Sequence, residues 1–309
     1  MKKSPMPTAV SPMLATLTKK PVTAEGYIHE IKFDGYRIIA FVDKGKVTLR
    51  SRGGLDYTSK YPAVVNALKK AKYRAVLDGE ICALDEKGLP DFGDLQKPTA
   101  DSHLVYYVFD ILWLNGENLM EVPLLERKTI LEKTIGRNEM ILYSMHFPDA
   151  MPLFDQMKAM GMEGIVSKKA DSEYLPGTRS NFWLKTPTEI RQEFVIGGWV
   201  ESDHGRPFAS LLIGAYKNGK LHWVGRSGGG FKEKEMPGIL KQLQAIEVKK
   251  SPFANEVEKY GVLHFTKPVL VANFKFTDWT KSGRIRKPAI FLGFRTDKKA
   301  KDVVIEKGV

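Results

Sequence analysis

Apolar residues in this chain fall mostly in short runs with strand-like spacing, interrupted by a few helical stretches. Ile38-Ile39-Ala40-Phe41-Val42 and Lys46-Val47-Thr48-Leu49 flank Lys44-Gly45, which predicts a β-hairpin. Thr58 or Ser59 stands where it can cap a helix over Tyr61 to Lys72, with Val64, Val65 and Leu68 on one face. Ala75-Val76-Leu77, Ile81-Cys82-Ala83-Leu84 and Leu104-Val105-Tyr106-Tyr107-Val108-Phe109 read as three buried strands. Helical spacing returns over Pro123 to Ile135, with leucines at 124, 125 and 131. It returns again over Met151 to Met160, stopped by Gly161, with the methionines expected in the core.

The segment Thr186-Pro187-Thr188-Glu189-Ile190-Arg191 has turn chemistry and no periodicity. It predicts a boundary and a hinge within residues 186–193. Beyond it the strands are short: Phe194 to Val200, Leu211 to Tyr216, and Leu221 to Gly225, the last two joined by the hairpin turn Asn218-Gly219. A helix over Lys232 to Ile246 follows, then strands over Val262 to Phe265, Val269 to Phe274 and Ala289 to Phe294. Five or six short strands with one helix suit a small OB-type barrel.

Composition adds limits. The 309 residues are 43% hydrophobic and 27% charged, which suits a folded chain of two domains. No apolar run has the length of a membrane span, and the lead Met1-Lys2-Lys3-Ser4-Pro5 lacks the apolar stretch of a secretory signal. A lone Cys82, in an apolar run, excludes an internal disulfide and a four-cysteine zinc module and is expected in the core. A cytoplasmic protein is expected. Residues 1–190 hold 26 Lys and Arg against 24 Asp and Glu, a net of +2. Residues 191–309 hold 22 against 12, a net of +10, so the C-terminal third is the candidate for binding a polyanion such as nucleic acid.

The run with the sharpest chemistry is Glu30-Ile31-Lys32-Phe33-Asp34-Gly35-Tyr36-Arg37. If a strand covers 27–33, Lys32 and Asp34 share a face, and Gly35 lets the chain turn closely past a ligand. A lysine nucleophile has to lose its proton, which neighbouring cations or desolvation favour. Arg37 supplies such a cation and a donor fork for ribose or phosphate oxygens.

Lys32-Phe33-Asp34-Gly35-Tyr36-Arg37 resembles motif I of the covalent nucleotidyltransferases, the superfamily of DNA ligases, RNA ligases and capping enzymes. Further ordered motifs have matches. Ser51-Arg52-Gly53-Gly54 is similar to a Ser-Arg-Asn-Gly segment, and Asp78-Gly79-Glu80 to the Asp-Gly-Glu element. Val108-Phe109-Asp110 through Asn115-Gly116 resembles motif III, Glu163-Gly164-Ile165-Val166-Ser167-Lys168 motif IV, and Trp183-Leu184-Lys185 motif V. Arg286-Lys287-Pro288 through Arg295-Thr296-Asp297-Lys298 resembles motif VI. The resemblance covers nearly the whole chain. Its nearest branch is the ATP-dependent DNA ligases of the bacterial ligase D type, on the phrases Pro123-Leu124-Leu125-Glu126-Arg127 and Gln192-Glu193-Phe194-Val195-Ile196-Gly197-Gly198.

The resemblance implies an α+β fold: a nucleotidyltransferase (adenylation) domain of antiparallel sheets with helices over residues 1–188, then a small OB-fold β-barrel domain over 189–309. It implies ATP as the nucleotide, with AMP carried on Lys32, and Mg²⁺ or Mn²⁺ held by Glu80 and Glu163. Glu30, Ile31, Arg37, Arg52, Glu80, Phe109, Lys168, Lys185, Arg295 and Lys298 would line the nucleotide, with Phe109 stacked on the purine. The implied partner is nicked duplex DNA, together with bacterial Ku or end-joining polymerase and nuclease modules. The protein would be a bacterial, nucleoid-associated monomer without membrane attachment. An RNA ligase or a capping-type nucleotidyltransferase is the alternative on the same scaffold. Two departures stand out. Pro187 occupies the place of a second motif V lysine, leaving Lys185 alone unless Lys168, Lys169 or Arg191 compensates, and Gly53 replaces an asparagine.

Overall fold

The computed structural model describes residues 2–305 apart from 91–93, 96–97, 100–101, 137, 281 and 287. The expected motif VI residue Lys287 therefore lies outside the described residues. The chain forms two compact units, Met1–Thr188 and Glu189–Lys307.

In the first unit the strands are β1 (Lys2–Lys3), β2 (Leu14–Leu17), β3 (Tyr27–Ile31), β4 (Tyr36–Asp43), β5 (Lys46–Ser51) and β6 (Ala75–Leu84). They continue with β7 (His103–Leu114), β8 (Glu117–Asn118), β9 (Ile141–Tyr143), β10 (His146–Phe147), β11 (Gly164–Lys169) and β12 (Arg179–Pro187). One sheet has the order β1-β8-β7-β6-β4-β5 with β9 on β7, and the other the order β10-β3-β11-β12-β2. Alternation decides which faces meet. Ile38, Ala40 and Val42 of β4 pack beside Val64 and Leu68 of the helix Pro62–Lys69 and Leu131 of the helix Leu124–Ile135. Ile39 and Phe41, one residue out of phase, join Val76, Leu112, Tyr174 and Trp183 in a core between the two sheets. The helix Ala150–Ala159 packs Leu153 and Met157 on Ile165 of the second sheet.

Several expectations change here. The hairpin forms as read, with Lys44 and Gly45 both at positive φ (47° and 83°). The first helix runs only over Pro62–Lys69 and neither Thr58 nor Ser59 caps it. Thr58 Oγ1 instead accepts from the Leu49 amide at 3.0 Å, and Pro62 supplies the first-turn φ. The two predicted strands at 75–77 and 81–84 are one, because Asp78 and Glu80 point to the inter-sheet side while pairing continues. Met157 is buried, but Met151 and Met160 are exposed, as is Leu125.

The second unit holds β13 (Ile190–Val200), β14 (Ser210–Lys217), β15 (Lys220–Ser227), β16 (Glu247–Val248), β17 (Leu263–Phe276) and β18 (Ile290–Phe294). Their order is β15-β14-β13-β17-β16, with β18 on β17. The helix Met236–Gln244 packs Met236, Ile239 and Leu243 into the same core as Phe194, Trp199, Leu211 and Phe274. The strands read separately at 262–265 and 269–274 are one bowed strand, β17. Its register with β13 jumps from Phe265↔Gly198 to Leu270↔Ile196, so Pro268 sits where β17 leaves the β13 ladder and needs no N–H there. The predicted turn segment at 186–193 is shorter than expected: β12 ends at Pro187 and β13 begins at Ile190.

Candidate functional site

Three neighbouring strands of the second sheet set one face of the site. Cross-strand register aligns Glu30 (β3), Val166 (β11) and Lys185 (β12), and beside them Ile28, Lys168 and Trp183. From the first sheet, Arg37 (β4), Glu80 (β6) and Tyr107 (β7) form a row. Phe109 falls between the pairs Asp78↔Asp110 and Gly79↔Val108, at a bulge that re-aims its ring toward the inter-sheet core. Phe109 and Trp183 meet edge to face at 5.9 Å, with the Lys168 ammonium 4.3 and 4.2 Å from their ring centres.

Lys32 follows β3 rather than extending it. β3 ends at Ile31, and the Lys32 amide donates to the Gly164 carbonyl at 2.9 Å, joining motif I to motif IV. The expected common strand face of Lys32 and Asp34 is therefore absent. Phe33 instead stacks on Tyr107 at 3.9 Å with the rings 7° from parallel. The turn that follows presses on β6, where a Cβ at Gly35 would run into the Ile81 carbonyl oxygen and sit 2.9 Å from Cys82 Sγ. Gly164, at φ 142°, faces the same constraint from the Thr186 carbonyl. Cys82 is buried, as expected.

The electrostatics correct one sequence argument. The Lys32 ammonium is ion-paired with Glu163. Burial pulls its pKa down, but Glu163, Asp34 and Glu80 outweigh burial and leave it raised. The neighbouring cation proposed to lower it, Arg37, is committed elsewhere. Its guanidinium grips Asp78 through Nε at 3.0 Å and Nη2 at 2.7 Å, and Tyr174 donates to the same carboxylate at 2.7 Å. The Arg37 fork is thus not open to ribose or phosphate in this state.

Glu30 is buried and accepts from Lys128 Nζ at 2.8 Å and Ser144 Oγ at 2.9 Å, with Lys168 Nζ 3.0 Å away. Burial would raise its pKa, but the two lysines outweigh burial and hold it below the usual carboxylate range. Lys168 is pushed down to about 8, first by burial and then, against the pull of Glu30, by Lys128.

Of the remaining expected residues, Ile31 ends β3, Lys185 is half-buried on β12 and Arg52 follows β5 in a turn. In the second unit Arg295 forks onto Asp297, both contacts at 2.8 Å, and Lys298 is ion-paired with Glu193. The candidates to stand in for a second motif V lysine have partners as well: Lys169 lies 3.4 Å from Asp171, and Arg191 3.5 Å from Glu189.

Sequence reasoning missed Arg127 and Lys128. Arg127 forks onto Asp110 at 2.7 and 2.8 Å, with both side chains fully buried. A signal existed. The two residues lie three and four places after Leu124 and four and three before Leu131, on the apolar face of their helix. Charges at such positions are either errors of phase or buried partners.

The chain as a whole matches known proteins. The family model described as ATP dependent DNA ligase domain matches residues 12–186, and the one described as ATP dependent DNA ligase C terminal region matches residues 204–298. The multifunctional non-homologous end joining protein LigD of Mycolicibacterium smegmatis is 36% identical over 98% of this chain, and that of Pseudomonas aeruginosa 33% over 99%. The chain spans 41% and 38% of the length of those two relatives. The SPbeta prophage-derived DNA ligase-like protein LigB of Bacillus subtilis is 30% identical, covering 91% of this chain and 97% of the relative. Among solved structures, mycobacterial DNA ligase D complexed with ATP and MES aligns with a TM-score of 0.70 at 33% identity, over 96% of this chain and 98% of that one. The chain belongs to the ATP-dependent DNA ligase family. Its fold is the nucleotidyltransferase domain followed by an OB-fold domain.

Proposed function

We propose that this chain seals breaks in duplex DNA in end-joining repair, through AMP carried on Lys32. The observation that supports this best is the placement of Lys32: backbone-tied to Gly164, side chain on Glu163, with Asp34 and Glu80 close enough to act on its charge. In the free state those carboxylates keep Nζ as an ammonium. It gives up the Glu163 pair and passes one proton to water, then its lone pair forms the N–P bond to the α-phosphate of ATP while the bond to pyrophosphate breaks. A 5′-phosphate oxygen of the DNA next attacks that phosphorus, the N–P bond to Lys32 breaks, and Nζ takes a proton back from water. The 3′-hydroxyl then displaces AMP and the strand is joined.

Glu80 and Glu163 offer hard carboxylate oxygens beside this lysine, a donor set that fits Mg²⁺ or Mn²⁺ sharing phosphate oxygens and water. When bound, such an ion offsets charge on the phosphates. Phe109 and Trp183 present aromatic surface for the purine, and Lys168 and Lys185 supply cations for the phosphates. Arg295 and Lys298 are assigned to the departing pyrophosphate. The duplex is assigned to the basic second unit, with Thr188 and Glu189 as the hinge.

Incubation with α-labelled ATP and a divalent cation should label the protein and then seal nicked DNA. Lys32→Ala should abolish both. Labelling by GTP in place of ATP, or sealing of RNA but not DNA strands, would move the assignment to a capping enzyme or an RNA ligase.

A further inference from the structure

The buried cluster around Glu30 has an imbalance. Two ammonium groups, Lys128 and Lys168, share one carboxylate, and all three side chains are at most 3% exposed. The two lysines are not equivalent. Lys128 is fully engaged: Nζ donates to Glu30 Oε1 at 2.8 Å and to the Ser144 carbonyl at 2.9 Å, and lies 4.6 Å from the Tyr143 ring. Lys168 has the one ion pair to Glu30 at 3.0 Å and otherwise faces the rings of Phe109 and Trp183. The other charged groups nearby are already matched, Asp110 by Arg127 and Arg37 by Asp78. Among the described residues, one positive charge at Lys168 is thus left to share Glu30 with Lys128, next to the aromatic pair.

We propose that Lys128 is the resident counter-ion of Glu30, and that by holding this carboxylate it frees Lys168 to turn to a phosphate group of the bound nucleotide. Lys128 is a positioning residue, acting through Glu30 from a helix that carries none of the Lys32, Glu80 or Glu163 chemistry. When Lys168 swings to the phosphate, Glu30 keeps a partner and no buried charge is stranded. Without Lys128, Lys168 would be the sole counter-ion of Glu30 and would stay with it. The inference rests on the lysyl-AMP reading above.

The test is the rate of protein–AMP formation as a function of pH for wild type, Lys128→Met and Lys128→Arg. Lys168 faces Glu30, Lys128 and, further off, Asp110, and its ammonium titrates near pH 8 in the intact cluster. Loss of Lys128 removes a like charge and leaves Glu30 undivided, so the alkaline limb should move to higher pH. The rate at neutral pH should fall by about 10- to 100-fold, the range seen when a partner that orients a liganding side chain is removed. Lys128→Arg should recover most of the rate. A Lys128→Met protein with a wild-type alkaline limb would overturn the proposal. So would failure of that variant to fold, since Lys168 is required to take over Glu30. If wild type itself forms no protein–AMP adduct, the lysyl-AMP reading fails first, and the two failures are distinguishable.

Discussion

Residues 1–190 carry a net charge of +2 and residues 191–309 one of +10, yet the nearly neutral part is the one that buries charge. Glu30, Asp78, Asp110, Arg127, Lys128 and Lys168 are all buried in the first unit. Among the described residues of the second unit, Asp297 is the one buried charged side chain. Taking an ion out of water is expensive unless a partner waits, so the first unit pairs its buried charges, with Lys128 and Lys168 sharing Glu30. The second unit pairs some cations, such as Arg295 with Asp297 and Lys298 with Glu193, and among its described residues buries no Lys or Arg side chain. Net charge and buried charge therefore separate the two units: one holds its surplus cations near water, the other locks its ions in pairs.

The strongest way to break this contrast is to break a buried pair. Arg127→Met leaves Asp110 alone in the core and should cost about 3–5 kcal/mol, a fall in Tm on the order of 10 °C for a unit of this size. A thermal melt within 2 °C of wild type would show that the buried charges are not structural.

Lys298→Ala comes next. Removing one cation from developing phosphate charge costs about 10²-fold in comparable sites. The loss should fall on Lys32 adenylylation, with sealing of pre-adenylylated DNA far less affected. Equal losses in both assays would remove Lys298 from the first transfer.

The smallest effect sharpens the comparison from the exposed side. Arg74 and Asp43 approach to 2.6 Å with roughly two-fifths of each side chain in water. Asp43→Ala should change stability by less than about 1 kcal/mol. A larger loss in urea titration would erase the distinction between paired ions inside and outside.

The sequence carries much of this protein in readable form. Ile38 to Val42 is readable as one strand of a hairpin, but because all five positions are apolar, only packing sends Ile39 and Phe41 to one core and Ile38 and Ala40 to the other. Asn218-Gly219 and Lys44-Gly45 specify their hairpins locally, because both need positive φ at two successive residues. The order of motifs from Lys32 to Lys298 points to the family without any coordinates.

Long-range partners were not legible in that way. Nothing near Arg37 in the sequence shows that its guanidinium belongs to Asp78, 41 residues away, rather than to a ligand. Lys128 and Glu30 lie 98 residues apart, and only the packing of the helix Leu124–Ile135 brings them to 2.8 Å. Local chemistry and periodicity determined most of the strands and the hairpin turns, and the family motifs singled out Lys32 as the candidate nucleophile. The tertiary structure alone decided which charges neutralise one another, because a buried ion pair depends on distance and on the exclusion of water, and neither is encoded in spacing along the chain.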